Sequence, residues 1–134
     1  MKIITVIQAR MSSTRLPGKV MLPLLGKPHL IRMIERVNSA KLVGDVIVAT
    51  STNADDDEIE NLCVQNNLFC SRGHLTDLID RHYQVAKQSN ADAVVKIPSD
   101  CPLIDPKVID KVIEHYINSD EFDFVSNLHP ATYP

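Results

Sequence analysis

The sequence predicts a doubly wound α/β domain, in which a mostly parallel sheet is covered by helices on both faces. Short runs rich in β-branched residues alternate with segments whose apolar residues recur at helical spacing. The length of 134 residues is usual for one domain, and 44% hydrophobic with 23% charged residues is ordinary globular composition. No apolar run approaches the about 20 residues that a membrane helix needs, so we expect no membrane partner.

The chain begins with a predicted strand, a long loop and a helix. The β-branched run at residues 3–8 predicts a buried strand. Residues 9–27 are rich in Ser, Thr, Gly and Pro, which is loop composition over an unusual length. Ordered loops of this length are usually functional. Pro28 suits a first helical position, and apolar spacing predicts a helix over residues 28–38.

The remaining elements continue the alternation. In order they are a strand at 45–50, a helix from a capping box of Asp55 and Glu58 to about Asn66, a strand at 68–71, a helix ending near Asn90, a strand at 93–97, a helix opened by Asp105 and Pro106, and a strand at 122–125. Sheets of this kind bind ligands at the carboxyl ends of their strands. The segments expected there are residues 8–19, 50–53, 71–74 and 98–103.

Charge is unevenly distributed along the chain. Seven of the 14 bases but one of the 17 acids lie within residues 1–36, although the net charge is only −3. A compact basic segment on an acidic body suits a nucleoside triphosphate better than a long nucleic acid, which would need a broader basic face. Charge alone slightly favours the alternative that these bases are solvated.

The three cysteines predict reduced thiols. They are odd in number and include no CxxC pair, which argues against a disulfide framework and a zinc ribbon. The apolar residues at the N-terminus are too few for a signal peptide. We therefore expect a cytoplasmic protein.

The loop after the first strand is the strongest candidate site. It lacks the glycine fingerprints of dinucleotide-binding and Walker loops. Arg10, Arg15 and Lys19, with hydroxyl residues between them, can nevertheless surround a triphosphate. The alternative is a mobile surface loop whose arginines point into water.

Three segments resemble a known family. Gln-Ala-Arg at 8–10 with Ser-Thr-Arg-Leu-Pro-Gly-Lys at 13–19 resembles the signature loop of the cytidylyltransferases that make CMP-activated sugars, the CMP-sialic acid and CMP-KDO synthetase superfamily. The greatest similarity is to the branch named for spore coat polysaccharide biosynthesis protein F. Residues 100–106 resemble the family's metal-binding loop, and Arg72-Gly73 with residues 80–83 resembles the branch's strand-to-helix segment.

This resemblance implies a nucleotide-diphospho-sugar transferase-like, Rossmann-like fold and a Mg²⁺-dependent enzyme. Such an enzyme transfers CMP from CTP to an acidic or modified sugar for surface polysaccharide biosynthesis and releases pyrophosphate. The implied catalytic residues are Arg10, Arg15, Lys19 and Asp100, of which Asp100 ligates Mg²⁺. The implied nucleotide-binding residues are Gln8, Ala9, Arg10, Ser12, Ser13, Thr14, Arg15, Lys19 and Arg72.

Family members are considerably longer than this chain. Residues 127–134 carry no helix or strand signal. We therefore expect residues 1–134 to be the N-terminal, nucleotide-binding portion of a family member, with a fold incomplete at its C-terminus.

Several of these residues have structural alternatives. Asp100 could cap a turn, and Arg72 could be an exposed loop arginine. The acids at 55–57 are explained by the dipole of the helix that follows them. Cys101 is better explained as a small buried filler than as a nucleophile.

Two other functions remain open at this point. One is a non-catalytic nucleotide-binding or oligomerisation module, and a homodimer is compatible with either role. The other is a related transferase that uses another nucleoside triphosphate, because similar loops serve UTP or GTP.

Overall fold

The computed structural model describes residues 1–131, which form six strands and four helices. The strands are β1 (Ile3–Gln8), β2 (Pro23–Leu24), β3 (Lys27–Pro28), β4 (Asp45–Ser51), β5 (Phe69–Gly73) and β6 (Ala93–Pro98). The helices are α1 (His29–Val37), α2 (Asp57–Gln65), α3 (Leu78–Ser89) and α4 (Pro106–Ile117). Single turns of 3-10 helix occur at Lys19–Met21 and Ala54–Asp56.

Four strands form a parallel sheet in the order β5-β4-β1-β6, which confirms the predicted sheet. Within it, β1 pairs with β4 on one side and β6 on the other, so that Gln8 lies level with Ala49 and Pro98. The chain runs outward from β1 through β4 to β5 and then returns to the opposite side of β1. This reversal creates a topological switch point between β1 and β6, where ligands bind in open α/β sheets.

Helices cover both faces of the sheet, as predicted. On one face α1, α2 and α4 share a core with Val48 and Ile97. On the other face α3 places Val85 against Ile4 and Val6. Side chains of a strand alternate between faces, so the central strands contribute to both cores.

Most predicted elements are confirmed with small shifts at their ends. The cap and first-turn pair of α4 is observed, because Asp105 accepts the N–H of Lys107 and Pro106 opens the helix. The third helix has Asp77 as its N-cap and ends where predicted, with Asn90 as its left-handed C-cap. Within residues 1–131, no helix combines the length and the apolar character needed to cross a membrane.

The predicted capping box of Asp55 and Glu58 is wrong. A 3-10 turn precedes α2, and neither the turn nor the helix has a side-chain hydrogen bond at its N-cap. The carboxylate of Asp56 is instead buried and bonded to other elements. A buried tertiary contact has therefore replaced a local cap.

The predicted strand at residues 122–125 is also wrong. Phe122 stacks on His115 of α4 with ring centroids 5.7 Å apart, and Phe124 is 79% exposed. Strand propensity reflects packing against neighbouring strands. Phe122 packs against a helix instead, and residues 122–125 form no strand.

The sequence does not predict the hairpin formed by β2 and β3. Its turn contains Leu25 at φ 51° and Gly26 at φ 81°. Tight hairpin turns can require positive φ at both central residues. Leucine seldom adopts such a conformation, so the sequence does not indicate a turn here. Pro28 lies in β3, and α1 begins one residue later, at His29.

Gly44 approaches β1 too closely for a side chain. Its φ is +61°, and a Cβ atom would lie 1.9 Å from the carbonyl oxygen of Ile3. We expect Gly44→Ala to lower the free energy of unfolding by about 4 kcal/mol, because the backbone must shift. Gly26 has φ +81° with no atom near its missing Cβ, so Gly26→Ala should cost about 1 kcal/mol through backbone strain alone. Urea unfolding measures both losses, and equal values would contradict the close approach.

Candidate functional site

A cleft of about 270 Å³ lies at the switch point between β1 and β6. This volume is near the lower end of those typical for small-ligand sites. The loop after β1, the carboxyl end of β6 and the start of α3 form its walls. The lining residues are Gln8, Arg10, Ser13, Thr14, Arg15, Lys19, Leu78, Lys96, Pro98, Ser99 and Asp100.

The structure brings most of the sequence-predicted residues to this cleft. Those present are Gln8, Arg10, Ser13, Thr14, Arg15, Lys19 and Asp100. Ser12 is exposed outside the lining, and Ala9 belongs to the core with 1% exposure. The backbone N–H of Ala9 donates to the carbonyl of Ala49 at 3.0 Å, which ties the start of the loop to β4.

Hydrogen bonds within the loop give it a closed form. The carbonyl of Met11 accepts the N–H groups of Ser13 at 2.9 Å and Gly18 at 2.8 Å. Gly18 has φ +69°, a left-handed conformation that suits glycine. Closure of residues 11–18 brings Arg15 and Lys19 to the same cleft.

Bases outnumber acids in the cleft lining. Arg10, Arg15, Lys19 and Lys96 face a single carboxylate, that of Asp100. Lys19 Nζ lies 3.6 Å from Asp100 Oδ2, and their side chains are 29% and 51% exposed. Water screens an ion pair of this exposure, so its energy is small. The cleft retains an excess of positive charge that suits a polyphosphate.

His29, the first residue of α1, lies near the ion pair. Burial lowers the pKa of His29, the charge of Lys19 lowers it further, and Asp100 opposes the change. Its Nδ1 atom is buried with no hydrogen-bond partner in the described part of the chain. The neutral imidazole is therefore favoured and adds no charge to the cleft.

Gln8 lines the cleft and has an unpaired side-chain acceptor. Its Oε1 atom is buried and has no hydrogen-bond partner within residues 1–131. A buried polar atom left unpaired costs free energy. A ligand that donates an N–H or O–H group here would recover that cost.

Arg72 lies apart from the cleft. Its Nη1 contacts the carboxylates of Asp57 at 2.6 Å and Glu60 at 2.8 Å, and both raise the pKa of Arg72. Its Nε and Nη2 donate to the carbonyls of Ser51 and Asn53 at 2.8 and 2.7 Å. The guanidinium thus ties β5 to the segment before α2 and to α2 itself.

Two residues at the site are missing from the sequence-based set. Lys96 lines the cleft from β6, and a lysine inside the apolar run at 93–97 is the signal that could have found it. Asp56 is 1% exposed, and its Oδ1 accepts the N–H of Met11 at 2.7 Å. The helix dipole explains the acids at 55–57 equally well, so no sequence pattern distinguishes the buried one.

Cys101 has the surroundings of a packing residue. Its side chain packs against the larger core, and its Sγ lies 3.7 Å from Asp100 Oδ1. Burial and this carboxylate raise the pKa of Cys101, so the thiol form is favoured over the nucleophilic thiolate. All three cysteines are free.

Asp100 fits a metal site that is shared with a ligand. Among residues 1–131, no three or more His, Cys, Asp or Glu side chains gather into a metal-binding group. Mg²⁺ commonly takes one or two protein carboxylates and completes its shell with phosphate oxygens and water. The half-exposed carboxylate of Asp100 can supply one such ligand beside the cationic loop.

Comparisons with known proteins match nearly the whole chain to one family. A family model described as cytidylyltransferase matches residues 4–132. Spore coat polysaccharide biosynthesis protein SpsF of Bacillus subtilis is 30% identical over 130 residues, covering 93% of this chain and 54% of that protein.

Two solved structures share the fold. A cytidylyltransferase from Leptospira borgpetersenii superposes with a TM-score of 0.86 at 39% identity, over 90% of this chain and 51% of that one. A CMP:2-keto-3-deoxy-manno-octonic acid synthetase complexed with CTP gives 0.77 at 25% identity, over 91% and 50%.

The chain spans about half the length of the curated relatives it matches. The matched region nevertheless contains all of the four-stranded sheet except its first residue, Ile3, and includes the cleft at the switch point. On the match of its family model, this chain belongs to the cytidylyltransferase family.

Proposed function

We propose that the protein transfers CMP from CTP to a hydroxyl of an acidic or modified sugar, depends on Mg²⁺ and releases pyrophosphate. One observation carries the proposal: Arg10, Arg15 and Lys19 converge with Asp100 on a single cleft at the switch point. The family and the printed names of the relatives support the choice of CTP and of a sugar acceptor.

The proposed reaction exchanges one phosphorus–oxygen bond for another. The sugar oxygen bonds to the α-phosphorus, and the bond from that phosphorus to the oxygen bridging to the β-phosphate breaks. The hydroxyl proton passes to solvent, and pyrophosphate leaves with the bridging oxygen. Negative charge on the phosphoryl oxygens and the leaving group is stabilised by cations already in place. This chemistry requires no protein nucleophile.

We assign the roles in the cleft from charge and position. Arg10, Arg15 and Lys19 bind the triphosphate and stabilise the departing pyrophosphate. The hydroxyl residues at 12–14 lie along the same loop and supply neutral hydrogen-bonding groups. Gln8 offers its unpaired Oε1 to a donor on the nucleotide.

Asp100 would hold Mg²⁺ together with phosphate oxygens of the nucleotide. Bound there, Mg²⁺ would polarise the phosphoryl oxygens and offset their charge. Lys19, which lies 3.6 Å from Asp100, is close enough to contact the same phosphates.

The cysteines bear on the compartment, and the name of a relative bears on the acceptor. Three free cysteines suit a reducing cytoplasm. The printed name of the Bacillus subtilis relative refers to spore coat polysaccharide biosynthesis, which supports a sugar precursor of a surface polysaccharide as acceptor.

The loop bases should dominate nucleotide affinity. We expect Arg15→Ala and Lys19→Ala each to raise the Kd for CTP with Mg²⁺ by about 10- to 100-fold, because each removes a cation from the cleft. Isothermal titration of CTP, UTP, GTP and ATP into the wild-type chain and the variants measures this effect and the base preference.

Lys111→Ala is the matched control for this titration. Lys111 is exposed on α4, outside the cleft lining, so its loss should leave the Kd unchanged. Wild-type affinity in both loop variants would remove the loop from the site. CTP binding without turnover in the presence of sugar acceptors would favour the nucleotide-binding module, and tighter binding of another nucleotide would favour a different transferase.

Asp100 should carry the metal dependence of nucleotide binding. We expect Asp100→Asn to abolish the gain in CTP affinity that Mg²⁺ produces, because an amide is a much poorer Mg²⁺ ligand than a carboxylate. Titration of CTP at several Mg²⁺ concentrations measures the effect, with Asp120→Asn as a control for loss of an exposed carboxylate. Unchanged Mg²⁺ curves in Asp100→Asn would reject this assignment.

A further inference from the structure

Asp56 is a buried carboxylate at the end of the turn between β4 and α2. Its side chain is 1% exposed, although Asp55 and Asp57 on either side are exposed. Burial of a charge is costly unless hydrogen bonds compensate it. The partners of Asp56 therefore indicate what its burial accomplishes.

The two carboxylate oxygens join different parts of the fold. Oδ1 accepts the N–H of Met11 at 2.7 Å. Oδ2 accepts the N–H of Ser51 at 3.3 Å and the Ser51 hydroxyl. Ser51 is the last residue of β4, and Met11 belongs to the loop after β1. Asp56 thus fastens that loop to the carboxyl edge of the sheet.

Met11 is the residue at which the loop closes on itself. Its carbonyl accepts the N–H groups of Ser13 and Gly18, while its own N–H donates to Asp56. Arg10 precedes Met11, and Lys19 follows Gly18. A fixed Met11 peptide therefore fixes both ends of the segment that carries three of the cleft's four bases.

The charge of Asp56 lies near the buried guanidinium of Arg81. Arg81 of α3 is 1% exposed, and burial lowers its pKa. The charge of Asp56 raises this pKa, and the charge of Arg10 lowers it further. A negative charge behind an anion-binding loop repels the anion. On charge alone Asp56 would weaken polyphosphate binding, so any benefit must come from geometry.

We propose that Asp56 is a positioning residue that holds the loop of residues 9–19 in its polyphosphate-binding conformation and thereby raises its affinity. The inference rests on the proposed function, because it requires that this loop bind a triphosphate. A loop fixed before binding loses less conformational entropy when the ligand arrives.

Asp56→Asn separates geometry from charge, because the two effects have opposite signs. The amide has nearly the same size, but its NH₂ group cannot accept a hydrogen bond, so the backbone N–H of Met11 or that of Ser51 loses its acceptor. We expect the Kd for tripolyphosphate with Mg²⁺ to rise about tenfold. Hydrogen exchange should accelerate at the amides of Met11, Ser13 and Gly18, while the amides of β1 remain protected.

Asp55→Asn is the matched control, since it removes an exposed neighbouring carboxylate of equal charge. Its Kd should be unchanged or slightly lower, with wild-type exchange in the loop. Equal or tighter tripolyphosphate binding by Asp56→Asn would overturn the proposal, as would unchanged exchange at the three loop amides.

Ser51→Ala provides a milder variant in case Asp56→Asn does not fold. It removes one donor to Asp56 and no charge, so we expect a smaller rise in Kd and faster exchange at Met11. Wild-type values of both would overturn the proposal. Failure of the wild-type chain to bind tripolyphosphate or CTP would instead reject the proposed function, and loop exchange in the variants would still decide whether Asp56 fixes the loop.

Discussion

The parallel pairing of β1 with strands on both sides determines where the cleft lies. Because Gln8 is level with Pro98 of β6, the loop after β1 starts beside the residues that lead to Asp100. Residues far apart in sequence therefore contribute opposite charges to one site. A register shift of one residue along β6 would turn Lys96 to the other face of the sheet and remove it from the cleft. The backbone pairing of β1 with β4 and β6, more than any single side chain, brings the residues of the candidate site together.

Charged residues form three arrangements around this edge of the sheet. The bases of the loop are at least partly exposed and face the cleft, whereas Asp56 and Arg81 are almost fully buried behind it. Exposed charges can meet a ligand without a large desolvation cost. Buried polar groups depend on fixed hydrogen bonds to their surroundings, so they specify geometry. Arg72 belongs to a third arrangement, in which an ion-paired guanidinium connects β5 to α2.

Sequence patterns predict the sheet because apolar runs and helical spacing reflect burial within single elements. These patterns fail where contacts with other elements determine the structure of a segment. Phe122 has strand-like surroundings in sequence but stacks on His115. At the site, the motif around Arg15 and Lys19 identifies the loop, since ligand contact depends on residue type and spacing. Asp56 shows no such signal, because its burial depends on Met11, which is 45 residues away.

The two hydrophobic layers of the domain are unequal. Three helices share the larger core on one face, while α3 covers the other with a much smaller set of buried side chains. Segments with few buried apolar contacts open locally at the lowest free energy. The two walls of the cleft are consequently held unequally. The loop wall is bonded to Ala49 of β4 through Ala9 and to Asp56 through Met11, whereas Leu78 belongs to the wall that α3 supports. Adjustment to ligands of different size is least costly along that second wall.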